Sequence, residues 1–226
     1  LETVIKLTGF RSDQLGFAHE DINREKLNRW MRTHINIKQG TATVIESSEY
    51  RPWLLDKRAS IEWKFWERYR EFLLKDKLRN PKTIDEIESS ADQALDRLGD
   101  PTIVQYSSDH RGLIVGEIQS GKTQHYVGLI NRALDVGYKT IVVLAGRTNA
   151  LRTQTQIRID EGVLGRDTST LSTEDDYKPE VSGAYGVGKR GILPIIPGTH
   201  AREDGEFKKS VAQHFVDAGS ETPRIL

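Results

Sequence analysis

The run Gly116-Glu117-Ile118-Gln119-Ser120-Gly121-Lys122-Thr123 is the segment best equipped for chemistry. Two glycines separated by four residues, then Lys and a hydroxyl residue, have the Walker A spacing. The glycines let backbone N–H groups turn inward around phosphate oxygens, and a helix starting there adds its partial positive end. In such a loop Gly116, Gln119, Ser120 and Gly121 line the phosphates. Lys122 reaches the β and γ phosphates as a mobile charge, and Thr123 gives its hydroxyl to Mg²⁺. The expected chemistry is capture of a nucleoside triphosphate with Mg²⁺. Lys122 and Thr123 form the catalytic pair, with Thr123 as the metal contact.

A second segment, Gly183-Ala184-Tyr185-Gly186-Val187-Gly188-Lys189-Arg190, repeats the glycine spacing and the lysine but ends in Arg. No strand pattern precedes it, and Pro194 and Pro197 follow where a helix would have to run. It reads as a flexible, basic loop. Hydrolysis usually also needs an acidic residue at the end of a buried strand. Asp85-Glu86 and Asp160-Glu161 lie in helical patterns and Glu174-Asp175-Asp176 in a polar stretch, so none qualifies.

The elements that must position the loop follow from apolar spacing. Gly112-Leu113-Ile114-Val115 reads as a short buried strand entering it, and Gln124 to Leu134 as the helix leaving it, with Gly137 as its left-handed stop. Thr140 to Ala145 reads as the next strand, and Thr148 or Asn149 caps a third helix that runs toward Gly162 and Gly165. Arg166 to Glu206 reads as a long loop, and a last helix over about 207–218 leads to Arg224-Ile225-Leu226. The alternation predicts an α/β fold with a parallel sheet, over residues 101–226.

Residues 1–100 read as a helical region holding all four tryptophans, Trp30, Trp53, Trp63 and Trp66. Ile61, Phe65, Tyr69, Phe72, Leu73 and Leu78 give an amphipathic helix from Ser60 to Leu78. A second helix runs from Ile84 to Leu98, with Thr83 as N-cap, Glu86 at the capping-box position and Gly99-Pro101 as the stop. The absence of Met at Leu1 and the apolar ending Pro223-Arg224-Ile225-Leu226 are expected of a piece of a longer chain.

The 33 basic and 33 acidic residues cancel, so any nucleic-acid contact must be local. Arg147-Thr148-Asn149-Ala150-Leu151-Arg152 supplies such a place: amides at a helix start and two arginines suit nucleic-acid phosphates, with Gln154, Gln156 and Arg158 extending a polar face. Tyr106 is a candidate for stacking on a base. The absence of cysteine excludes disulfides and thiolate metal sites and fits the cytoplasm. No apolar run approaches the roughly 20 residues that span a bilayer.

Taken in order, Arg111 to Gly116, Gln119 to Thr123, Val143 to Gly146, Leu151 to Gln156 and Arg158 to Gly162 resemble the N-terminal ATPase part of Z1-domain proteins. These are superfamily 2 helicase-like motors of bacterial restriction and phage-defence systems. The resemblance implies a P-loop RecA-like lobe of DEAD type, ATP with Mg²⁺, and double-stranded DNA met through Arg147, Thr148, Asn149 and Arg152. It also implies a nuclease or other defence subunit as partner, and a C-terminal Z1 lobe. Walker B, the Z1 lobe and the arginine that lobe would offer the γ-phosphate lie outside this chain, so the piece alone is expected to bind ATP weakly and turn it over poorly. A nucleotide-gated assembly module that switches a partner nuclease is the alternative. A small-molecule kinase is disfavoured for want of an acceptor site.

Overall fold

In a computed structural model the chain is described over residues 52–103, 110, 112–114, 121–146, 148–170, 183–202, 205 and 222–226. Trp30, Tyr106, Gly116 to Ser120, Arg147 and the helix expected over 207–218 lie outside the described residues. The helices are α1 (Leu54–Lys57), α2 (Lys64–Lys75), α3 (Pro81–Asp96), α4 (Lys122–Asp135) and α5 (Asn149–Ile159), and the strands are β1 (Thr140–Ile141), β2 (Ile196–Pro197) and β3 (Arg224–Ile225). No helix among the described residues is long and apolar enough to cross a membrane.

Helix α2 is shorter at both ends than its apolar spacing predicts. Arg58–Ser60 forms a 3₁₀ turn and Ile61 is extended, so the helix starts at Lys64. Trp63, its N-cap, has no side chain able to accept from the first amides. The Asp135 carboxylate, at the far end of α4, accepts from Phe65 N and Trp66 N at 2.8 Å each and fills that role. At the other end Arg79 N donates to Leu73 O at 2.9 Å, a bond that folds the chain back over the last turn of α2. Leu78 takes the left-handed position, at φ 49°, where glycine is usual.

Helix α3 begins three residues before the expected Ile84. Asn80 is the N-cap, its side chain accepting from Lys82 N, and Pro81 occupies the first helical position. An Asn-Pro pair outranks Thr83 because proline's missing N–H and fixed φ suit the first turn. The stop lies near its expected place, with Gly99 at φ +85°.

Helices α2, α3 and α4 pack through Trp66, Tyr69, Phe72, Ile84, Ile87, Val127 and Ile130, and the same core continues to Ile195 and Ile225 of the sheet region. Gly128 permits the close approach of α4, since a Cβ there would lie 2.9 Å from Ile87 and 3.4 Å from Trp66. Arg132 of α4 is fully buried, ion-paired to Glu88 and Asp92 of α3 and lying over the Trp63 ring.

The fold is mixed α/β, and its described sheet has three parallel strands in the order β1-β3-β2. Thr140 pairs with Arg224 and Ile196 with Arg224, so the strand before the C-terminal Leu226 is the central one. β1 was expected to span Thr140 to Ala145. Its regular pairing is shorter because β3 is itself two residues long, although Val143 N still donates to Leu226 O at 2.7 Å. Burial alternates along it: Ile141 and Val143 pack on the core, while Val142 and Leu144 are exposed.

Two expectations are overturned. Gly112 to Ile114 is not a buried strand: it has no strand assignment, and Leu113 and Ile114 are 87% and 61% exposed. An apolar run becomes a strand only where a partner accepts its backbone bonds, and these residues pair with none of the described strands. The segment read as a loop over 166–206 holds structure. Gly186–Arg190 is a 3₁₀ helix with Gly186, Val187 and Gly188 buried, Arg166 bridges Ala184, and Ile196–Pro197 is β2. Gly188 lies so close to Gly165 that a Cβ would sit 1.8 Å from the Gly165 oxygen. Gly186 and Gly188 are therefore packing glycines, and the expected flexible loop is packed there.

Candidate functional site

Helix α4 starts two residues earlier than Gln124, at Lys122, so the lysine and threonine of the Walker A spacing form its first turn. Gly121 is the N-cap in the left-handed conformation, at φ 78°, and has no side chain to cap the amides that follow. Gln124 N and His125 N donate back to Gly121 O at 2.8 and 3.2 Å. Lys122 and Thr123 are exposed, and the Thr123 side chain hydrogen-bonds with Tyr126, whose hydroxyl is pushed up mainly by burial. This first turn therefore presents an ammonium, a hydroxyl and the positive end of a 14-residue helix to one side.

The turn is held from behind by α2 and α3. The Tyr69 hydroxyl donates to Gln124 O at 3.3 Å. One end of the Gln124 side-chain amide lies 2.9 Å from Arg79 Nη2 and 2.7 Å from Arg79 Nε, two donors that only its oxygen can accept from. Burial pushes the His125 imidazole down, against the pull of Glu86 from α3. Among the described residues no group of three or more His, Asp or Glu is placed to hold a metal.

A second feature lies at the carboxyl ends of β1 and β3, where ligands of parallel sheets usually sit. A cleft of about 280 Å³ is lined by Val143 to Gly146, Thr148, Asn149, Arg152, Thr155, Gln156, Thr199 and the ends of β3. It brings together the described members of the segment expected to meet phosphates. Thr148 is the N-cap of α5, accepting from Leu151 N at 3.3 Å, and Asn149 is exposed beside it. Arg152 is differently employed: its Nη1 donates to His200 O at 2.8 Å and Gly205 O at 3.3 Å, and its Nη2 to Arg202 O. Its terminal nitrogens clamp a turn of the chain.

The polar face expected on α5 is divided. Gln154 and Arg158 are exposed, but Gln156 is buried, donating to Asp160 Oδ1 at 2.8 Å and accepting from Thr199. Asp160 opens a π-helical turn, Asp160–Leu164, and accepts from Thr168 N at 2.9 Å and Thr168 Oγ1 at 2.6 Å. Burial raises its carboxyl to about 6 against those bonds. Sequence spacing places Gln156 and Asp160 four residues apart on one helix, but Thr168 joins them only because the chain turns back after Leu164.

A larger cleft, about 610 Å³, lies between α1, the start of α2 and the end of α4, and contains none of the expected site residues. Lys57, ion-paired to Asp100, and the capping carboxylate Asp135 form its polar wall. Size alone does not make it the site, whereas the smaller cleft has both the strand-end location and the residue types. No family model matches the chain, and no curated protein and no solved structure matches it.

Proposed function

We propose that this chain is the ATP-binding N-terminal part of a helicase-like, DNA-dependent ATPase of the superfamily 2 type, from a cytoplasmic restriction or phage-defence system. The observation that carries the reading is the first turn of α4: a left-handed Gly121 followed by exposed Lys122 and Thr123, the last three residues of a complete Walker A spacing. The parallel order β1-β3-β2 supports a RecA-like lobe, and the cleft at the strand ends supports a second contact, with nucleic-acid phosphate, at Thr148 and Asn149.

In this reading ATP is gripped by Gly116 and Gln119 to Thr123, with Lys122 on the β and γ phosphates and Thr123 on Mg²⁺. Hydrolysis and coupling to double-stranded DNA belong to the intact parent with its Z1 lobe. The test is Mg²⁺-dependent binding of a fluorescent ATP analogue to the chain, with Lys122→Ala abolishing it. For the intact parent it is ATP turnover with and without double-stranded DNA. A turnover rate that ignores DNA would sink the motor.

One observation favours the alternative, an ATP-gated assembly module. Arg152, expected on the nucleic-acid backbone, is committed to three main-chain carbonyls. Displacement of a protein roadblock by the intact parent separates the two, since a switch leaves the roadblock in place.

A further inference from the structure

The α2–α3 joint packs beside the first turn of α4 and is held by its own hydrogen bonds. Leu78 is in the left-handed conformation, Arg79 N donates to Leu73 O, and Asn80 and Pro81 immediately start α3. The Arg79 side chain reaches from this joint across to α4. Two of its nitrogens lie 2.9 and 2.7 Å from one end of the Gln124 side-chain amide, where only the amide oxygen can accept from them, while the Tyr69 hydroxyl donates to the Gln124 carbonyl. Gln124 immediately follows Lys122 and Thr123. Gly128, one turn further on, removes the side chain that would hold α4 away from Trp66 and Ile87.

We propose that Arg79 is a positioning residue for nucleotide binding: acting through Gln124, it fixes the first turn of α4 and so makes ATP affinity depend on the seating of the helical region. This rests on the ATP-binding reading above. The physical argument is preorganisation. A helix end that must meet two phosphates and a metal binds most tightly when its first turn is already in place, and a guanidinium fork restrains an amide in two directions where an ammonium would restrain it in one. The coupling is reciprocal, so bound ATP in turn holds the α2–α3 joint. Anything that displaces the joint, a partner subunit included, lowers affinity at a site it does not touch.

The experiment measures Mg-ATP affinity for the wild type, Lys122→Ala, Arg79→Ala and Arg79→Lys, together with hydrogen exchange of the amides from Lys77 to Ile84. Removing a partner that orients binding groups typically costs about 10–100-fold. The expected result is at least a roughly tenfold loss of affinity in both Arg79 variants, with the fold retained. ATP slows exchange across the joint in the wild type but not in Lys122→Ala or the Arg79 variants. Should Arg79→Ala fail to fold, Arg79→Lys keeps the charge and the stem and still reports on the fork. Wild-type affinity in both variants, or exchange at the joint indifferent to ATP, overturns the proposal while leaving the ATP site intact. Absence of Lys122-dependent binding in the wild type removes the ATP reading itself and this inference with it.

Discussion

Replacement of Arg132 by Met tests the packing that seats α4 on the helical region. The guanidinium is fully buried, bridges Glu88 at 3.2 Å and Asp92, and lies with its central carbon 3.9 Å from the Trp63 ring centre and 5.3 Å from that of Trp66. Its Nε has no hydrogen-bond acceptor among the described residues, and the guanidinium lies over the Trp63 face. Methionine preserves much of the volume but leaves two largely buried carboxylates short of a cation. Removing one partner of a buried pair costs about 3–5 kcal/mol. Arg58, which reaches Glu88 at 2.7 Å and also meets Asp92, remains to compensate in part and favours the lower end. For a chain of this length about 3–5 kcal/mol corresponds to a fall in Tm of roughly 6–20 °C. Urea unfolding followed by tryptophan emission reads both the stability and the local loss at Trp63. A cost below about 1 kcal/mol would refute the reasoning, because it would mean that the carboxylates reach water or Arg58 without penalty.

Four further outcomes are expected. Burial raises Asp135 from its usual 3.8 to about 6, despite the two amides it caps, and Asp160 likewise. Because both folded values exceed the unfolded ones, their contribution to stability is fullest below about pH 4 and is lost as pH rises through 6. Each is worth about 3 kcal/mol, so carboxyl NMR should find both groups titrating near 6, and Asp135→Asn should flatten the stability profile between pH 5 and 7. Gly188→Ala, with no room beside Gly165, should cost more than about 3 kcal/mol, whereas a mobile phosphate loop there would tolerate it. Lys122→Ala should abolish Mg-ATP binding with Tm changed by less than about 2 °C, since the side chain is exposed; a large Tm loss would mean a structural lysine. Arg152→Ala should speed proteolysis between Thr199 and Gly205, and an unchanged cleavage rate would show that its three carbonyl bonds are dispensable.

Local rules were readable where one residue type had one outcome. Gly137, Gly165 and Gly99 turn the chain at φ +105°, +78° and +85°, because glycine alone takes these angles freely. Thr148 caps α5, and the apolar spacing of Val127, Ile130 and Leu134 put α4 against a core. The same rules failed where the competing partner lay far along the chain. Leu78 continues the period of α2 and yet lies beyond its end, and Gly186 and Gly188 look like loop glycines and yet are wedged against Glu161 and Gly165.

By itself, then, the sequence determined a glycine turn at the head of a helix, since spacing and residue type suffice for that. Tertiary structure decided who holds that turn. Arg79 and Tyr69 precede Gln124 by more than forty residues, and Arg152 is drawn to the carbonyls of 200–205 by a fold that no local pattern announces. Long-range hydrogen bonds depend on which backbone groups the packing leaves exposed, and that is fixed only when the helices and the sheet close on one core.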